Sequence, residues 1–185
     1  MVKIIAGLGN PGEKYNNTRH NAGFRAIDAL ADRLGLSWEK NKKINSLIAK
    51  NKDIILIKPL TYMNDSGRCL QAVLSYYNLL PKKLGFLKIK DSDLLEALTI
   101  IHDDLDLNLG SFKISIDSRS AGHKGVESII SHLKTKKFKR IRIGIKTEPA
   151  NKIPAEKFVL QKFNSEELKI INNIISDIIK KVFVL

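Results

Sequence analysis

One cysteine stands in 185 residues, so Cys69 has no partner for an internal disulfide and no companion for a multi-cysteine metal site. No apolar run reaches the ~18 residues a membrane span needs. Met1-Val2-Lys3 leads straight into a strand, without the anatomy of a signal peptide. No internal repeat or low-complexity stretch interrupts the chain. These absences lead to the expectation of a cytoplasmic protein without membrane attachment. Acidic residues are outnumbered: 19 Asp and Glu face 32 Lys and Arg, a net charge of +13. Such a field favours polyanionic partners, nucleic acid first, although solvated lysines of a basic proteome give the same balance. Clustering favours the former: Lys134, Lys136, Lys137, Lys139, Arg140 and Arg142 crowd one stretch.

The length suits one domain with a real core. Residues 2–7 read as a buried strand. A helix is expected from Thr18, with Ile27, Leu30, Ala31 and Leu34 at helical spacing and Gly35 as its stop. Trp38 to Asn45 reads as polar connection, and Asn45–Ala49 with Asp53–Lys58 as a hairpin. A helix capped between Asn64 and Ser66 follows, carrying Leu70, Val73, Leu74 and Tyr77. Asn78 to Asp93 is a polar excursion, with 84–93 read as a surface insertion. Leu98 to Ile101 has the continuous apolar character of a strand covered on both faces. A strand over Gly110–Ile116, a helix with Val126, Ile129, Ile130 and Leu133, and a strand over Arg140–Ile145 come next. Alternation sets Arg140, Arg142 and Gly144 on one face, where two guanidiniums in line can grip phosphate. Residues 151–163 are expected as loop, and Ser165 as the cap of a last helix striped with Ile171, Ile174, Ile175, Ile178, Ile179 and Val182. The expected fold class is α/β: a single domain over 1–185 with a mixed, mostly parallel β-sheet and helices on both faces.

Chemistry-bearing residues gather at the expected strand ends. After the first strand, Gly7-Leu8-Gly9-Asn10-Pro11-Gly12 leads to Tyr15 and to Thr18-Arg19-His20-Asn21. The spacing of Gly7, Gly9 and Gly12 fits a dinucleotide fingerprint by letter, but that motif needs a helix opening at the glycines, and Pro11 sits inside the turn. A plain turn with a helix-capping histidine competes as well. Tyr62, Met63 and Asn64 stand at a strand-to-helix corner, Met63 as core filler and Asn64 readable as a cap. His102-Asp103-Asp104-Leu105-Asp106 follows a buried strand, where so many charges are costly without a role. A solvated acidic turn is the bland alternative. No second histidine stands at a helical ligand spacing, so neither a metal nor a cofactor is expected. Ser118 to Gly125, with His123 and Lys124, is a second glycine-containing loop.

Five segments in order resemble the motifs of bacterial peptidyl-tRNA hydrolase: Gly7 to Gly23, Lys58-Pro59-Leu60-Thr61-Tyr62-Met63-Asn64 through Gly67, His102 to Leu107, Ala121-Gly122-His123-Lys124-Gly125, and Arg140 to Ile145. Together they span nearly the whole chain. The resemblance implies a cytoplasmic, monomeric esterase that frees tRNA by cleaving the ester between a peptide and the 3′ ribose. It implies His20 as catalytic base, Asp103 as its orienting partner, and Asn10 as the residue distinguishing peptidyl from free aminoacyl substrates. Tyr15, Tyr62, Asn64, His123 and Lys124 would contact substrate, and Arg142 would hold tRNA phosphate. The chain departs from the family in three places. Lys124 replaces the usual Asn, and lysine accepts no hydrogen bond but can reach phosphate. Ser115 stands where some members carry a phosphate-holding Lys, a loss Lys113 can offset. Residues 84–93 look inserted.

The residues suit that chemistry. A histidine can take a proton from water near neutral pH, and a carboxylate on its far nitrogen fixes the tautomer. No convincing nucleophile is present, so direct attack by water is expected. Two alternatives stand beside this reading: a non-catalytic RNA-binding protein using the same basic residues, and a small-molecule esterase whose charge is incidental.

Overall fold

The apolar run at the start of the chain becomes the central strand of a sheet, and the rest is assembled around it. The computed structural model describes residues 2–80, 82–83, 87–88 and 91–183. In chain order the first elements are β1 (Lys3–Gly7), α1 (Ala22–Arg33), β2 (Glu39–Asn41), β3 (Ser46–Lys50), β4 (Ile54–Pro59) and α2 (Ser66–Tyr76). Then come β5 (Lys82–Lys83), β6 (Leu87–Lys88), β7 (Leu98–Asn108), β8 (Phe112–Ser115), α3 (Lys124–Leu133), β9 (Lys139–Lys146), α4 (Ala155–Phe158) and α5 (Ser165–Val182).

Seven strands form one sheet in the order β2-β3-β4-β1-β7-β9-β8. The pairs β4–β1, β1–β7 and β7–β9 are parallel, with Ile5 opposite Leu56 and Thr99, and His102 opposite Arg142. β3 and β8 run against this direction at the flanks. The sheet is therefore mixed and mostly parallel, in a single α/β domain. Alternation along β1 sends Ile4 and Ala6 to one face, with Leu70, Val73, Leu74 of α2 and Val126, Ile129, Leu133 of α3. It sends Ile5 to the other, with Ala26, Ile27, Leu30 of α1 and Ile171, Ile175, Ile178 of α5. Helices thus cover both faces. The first turn of α1 lies close on the sheet: a Cβ on Gly23 would meet the Ile101 carbonyl oxygen at 2.3 Å. Only glycine allows that approach, and it brings the residues before α1 up against β7.

Several expectations need correction. The helix begins at Ala22; Arg19–Asn21 form a 3₁₀ turn before it, and the Thr18 hydroxyl donates to Tyr15 O at 2.8 Å rather than capping. Glu39–Asn41 is an edge strand, β2, not connection, since the β3 backbone supplies partners that its polar side chains do not advertise. The acidic stretch 102–106 is no turn, because β7 runs through it to Asn108. The short helix α4 interrupts the expected loop 151–163. Asn164, not Ser165, caps α5: its side chain accepts from Glu167 N, and Glu167 reaches back to Asn164 N. Of the insertion read over 84–93, residues 84–86 and 89–90 lie outside the described residues, while β5 and β6 pair antiparallel. Among the described residues, no helix is long and apolar enough to cross a membrane.

Candidate active site

β1 ends at Gly7 beside Ile101, while its parallel neighbour β7 runs on to Asn108, and beyond that level both the loop after β1 and the rest of β7 carry polar groups that must find partners. After β1, Asn10 is buried and locked from three sides. Its N–H donates to Asn21 Oδ1 at 2.8 Å, its carbonyl accepts from Asn21 Nδ2 at 3.0 Å, and its Oδ1 accepts from Met63 N at 2.8 Å. With Oδ1 so occupied, the Asn10 Nδ2 donors are left to face the cleft it lines.

His20 sits in the 3₁₀ turn, whose backbone is fastened to the segment after α4. His20 N donates to Val159 O at 2.8 Å and Arg19 N to Gln161 O at 3.0 Å. The buried Arg19 side chain reinforces this, donating to both Glu167 oxygens at 2.8 and 3.0 Å over the Phe158 ring. The His20 ring then meets β7. Its Nδ1 lies 2.9 and 3.0 Å from the two Asp103 oxygens. An ionised carboxylate only accepts, so Nδ1 carries the proton and Nε2 is the basic nitrogen.

Asp103 is buried to 1% exposure and has a second histidine on it. His123 Nε2 lies 3.0 Å from Oδ1. His123 is also the N-cap of α3, its Nδ1 accepting from Gly125 N at 3.1 Å and Val126 N at 3.3 Å. His102 completes the group: its Nδ1 donates to the Asp103 carbonyl at 2.7 Å, and its ring meets that of His123 edge-on at 4.6 Å. Burial is the largest influence on His20 and opposes its charge, but Asp103, by charge and hydrogen bond, more than offsets it and raises the pKa above 6.5. Burial likewise resists the Asp103 charge, yet the two imidazoles pull its pKa below 3.8. His102, fully enclosed, is driven well below 6.5 by burial and then by His123, and stays neutral.

His20, Asp103 and His123 border a cleft of about 520 Å³ that is also lined by Asn10, Met63, Asn64, Asp104 and Lys124 and by Pro154, Ala155, Glu156, Val159 and Leu160 around α4. A larger hollow of about 770 Å³ between α1 and α5 holds none of the candidate side chains. Ligand-type atoms of His20, Asp103 and His123 fall within 4.8 Å of one another. However, the ring nitrogens facing Asp103 are proton-bearing, since His123 Nδ1 is taken up as an acceptor. The trio is a hydrogen-bonded chain, not a ready ligand set.

The other candidates lie around this centre. Asn64 and Lys124 are exposed cleft residues, Lys124 3.6 Å from Glu127. Tyr62 is 57% exposed beside Met63 and meets Tyr15 edge-to-face at 6.3 Å. Lys113 is exposed on β8 opposite Arg142. Arg142 is largely buried and paired: Nε donates to Asp104 Oδ2 at 2.5 Å and Nη1 to Ser115 Oγ at 3.3 Å. Its neighbour Arg140 is buried and bonded to Ser118 Oγ. Cys69 is buried with its thiol pushed up to about 12, mainly by burial, which removes it as a nucleophile. The sequence reading missed Asn21, the third histidine His102, and the Arg142–Asp104 pair. Asn21 and His102 had a signal, adjacency to His20 and Asp103; the ion pair needed the β7–β9 register.

Comparison with known proteins gives one answer. A family model described as "Peptidyl-tRNA hydrolase" matches residues 4–185. A protein of that name from Bacillus velezensis is 42% identical over 181 residues, covering 96% of this chain and 88% of the relative. One from Metamycoplasma arthritidis is 40% identical over 177 residues, covering 96% and 87%. The crystal structure of peptidyl-tRNA hydrolase from Acinetobacter baumannii superposes with a TM-score of 0.83 at 31% identity, covering all of this chain and 88% of that one.

Proposed function

The chain belongs to the peptidyl-tRNA hydrolase family and is an enzyme of it, and from that premise we propose how it hydrolyses the ester of peptidyl-tRNA. His20 acts as general base. Its Nε2 takes a proton from a water in the cleft as the water oxygen attacks the ester carbonyl carbon. The carbonyl becomes a tetrahedral oxyanion, and its collapse breaks the bond to the 3′ oxygen of the ribose. That oxygen leaves with the proton from His20 Nε2. Asp103 holds the tautomer and steadies the imidazolium while it lasts. The Asn10 Nδ2 donors support the oxyanion and read the acylated amine that marks a peptidyl substrate. A donor in that role typically contributes ~2.7–4 kcal/mol. The observation that carries this reading is the His20–Asp103 bond of 2.9 Å, bordering the cleft.

The peptide lies along the cleft past Asn64 and reaches the Tyr62 and Tyr15 rings beyond the cleft lining. Lys113, Lys124 and Arg142 meet phosphates of the acceptor arm, which makes binding salt-sensitive and largely independent of sequence. The reading needs no cofactor, and the enzyme works as a monomer in the cytoplasm on peptidyl-tRNA shed during translation. Single-turnover release of an N-blocked aminoacyl group from tRNA tests it, with unblocked aminoacyl-tRNA as control. Wild type cleaves only the blocked substrate, and His20→Ala binds tRNA without cleaving. Equal cleavage by both proteins overturns the role of His20. Tight RNA binding with no cleavage by wild type favours a non-catalytic RNA-binding protein.

A further inference from the structure

Three histidines surround Asp103, and the reaction above uses only His20. His123 is set apart by having both ring nitrogens committed. Nδ1 receives two of the free N–H groups in the first turn of α3, from Gly125 and Val126. A nitrogen that accepts two N–H donors holds its lone pair in the ring plane and carries no proton. The proton must therefore be on Nε2, the atom 3.0 Å from Asp103 Oδ1. The tautomer of His123 is thus fixed from both sides, by the start of a helix at Nδ1 and by the carboxylate at Nε2.

Resting on the reading above, we propose that His123 is a positioning residue: its helix-fixed Nε2–H orients the Asp103 carboxylate and takes up part of its charge, which sets how basic His20 is. Asp103 Oδ1 is shared between the two rings, while among the described residues Oδ2 meets only His20, at 3.0 Å. Without the His123 donor, the carboxylate can rotate, and its full charge falls on His20. The base then binds its proton more tightly and is less well aimed.

Other charged groups around this pair leave the effect readable. His102 on β7 is buried and neutral. Arg142 on β9 is paired with Asp104, and Lys124 on α3 with Glu127. Arg140 on β9 is bonded to Ser118. Asp106 on β7 and Glu156 on α4 are exposed cleft residues. None of them offers a third donor to Asp103 Oδ1 among the described residues.

Two half-mimics separate the roles. His123→Asn keeps a side-chain acceptor for the α3 amides but has no group in the place of Nε2. His123→Gln reaches the place of Nε2 with an N–H but gives up the cap. The imidazole pKa of His20, read by NMR, is expected to rise by about half a unit or more in His123→Asn. Its kcat is expected to drop about tenfold with KM nearly unchanged, and the acid limb of its pH–rate profile to move to higher pH. His123→Gln should restore the His20 pKa towards wild type while melting earlier. A rise in KM alone in His123→Asn, with the His20 pKa unmoved, overturns the proposal and makes His123 a substrate contact. One measurement needs no variant: ring ¹⁵N shifts of wild type should show His123 protonated at Nε2, and a proton on Nδ1 would overturn the proposal outright. The NMR readings hold whether or not the protein cleaves peptidyl-tRNA, so failure of the hydrolase reading and failure of this one remain distinguishable.

Discussion

Asn10 and Asn21 grip each other twice, the N–H of Asn10 on Oδ1 of Asn21 at 2.8 Å and Nδ2 of Asn21 on the carbonyl of Asn10 at 3.0 Å. The side chain of Asn21 thus pairs with the peptide groups of Asn10 as a neighbouring strand would. It ties the loop after β1 to the turn that carries His20, so the proposed oxyanion donor and the proposed base are fixed by one residue. Asn21→Ala leaves two buried backbone groups unpartnered, and a loss of about 2 kcal/mol of stability is expected, read as a lower urea midpoint. Asn21→Asp should lose activity as well, because its carboxylate cannot donate to the Asn10 carbonyl. Variants with unchanged kcat would show that Asn10 is held by Met63 alone.

On the proposed mechanism, the pH dependence of cleavage follows from His20 and Asp103. His20 must be neutral at Nε2 to act, and its pKa is raised above 6.5 because Asp103 outweighs burial. The rate should therefore climb with pH through a midpoint above 6.5. In Asp103→Asn only burial remains, so the midpoint should fall below 6.5 while the plateau drops by roughly 10³–10⁴. Stability carries the same signature. The raised pKa of His20 makes its contribution complete below 6.5 and lost as pH rises through the folded value. The lowered pKa of Asp103 makes its share complete above 3.8 and lost as pH falls through its folded value. A pH–rate midpoint that stays put in Asp103→Asn would remove Asp103 from the mechanism.

His102 acts in the opposite sense to His20. Its folded pKa lies well below 6.5, so its contribution is complete above 6.5 and lost as pH falls towards the folded value. One proton taken up by the unfolded chain alone corresponds to about 1.36 kcal/mol per pH unit. His102→Asn keeps a donor near the Asp103 carbonyl and removes the titration. Denaturation between pH 6.5 and 5 should show a shallower fall in stability for the variant. Parallel curves would mean that His102 gains a proton in the folded protein.

Apolar periodicity made most of the scaffold legible, since the faces of β1, α1 and α5 are set by residues within a few positions of each other. What stayed hidden was settled across the sheet. A solvated turn stood as the alternative for Asp103 and Asp104 because nothing near them in sequence compensates a buried carboxylate; their partners in the structure are His20, His123 and Arg142. β2 carries no apolar signal and exists because β3 offers it an edge. Arg140 looked like a phosphate grip, but its charge is buried against Ser118. The resemblance pointed to His20 and Asp103, which the structure pairs at 2.9 Å, and it implied a substrate contact for His123, both of whose ring nitrogens the structure shows engaged within the protein.

Arg142 and Lys113 lie opposite each other on β9 and β8, and their different surroundings separate binding from folding. Arg142 is only 16% exposed along its side chain and neutralises Asp104, which is 6% exposed. Arg142→Ala strands that carboxylate, so it should lower stability by about 2–3 kcal/mol as well as weaken tRNA binding. Lys113 is exposed, and Lys113→Ala should leave stability within about 0.5 kcal/mol. If both reach phosphate, each substitution lowers the slope of log K against log salt by about one and weakens all tRNAs alike. The discriminating result is Arg142→Lys, which keeps a charge but cannot serve Asp104 and a phosphate at once as a planar guanidinium can. A recovered melting temperature with an unrecovered salt slope would place the phosphate on the outer face of Arg142. Full recovery of both would mean that the site asks only for a positive charge. An unchanged slope in all three variants would move the phosphate contact off this face.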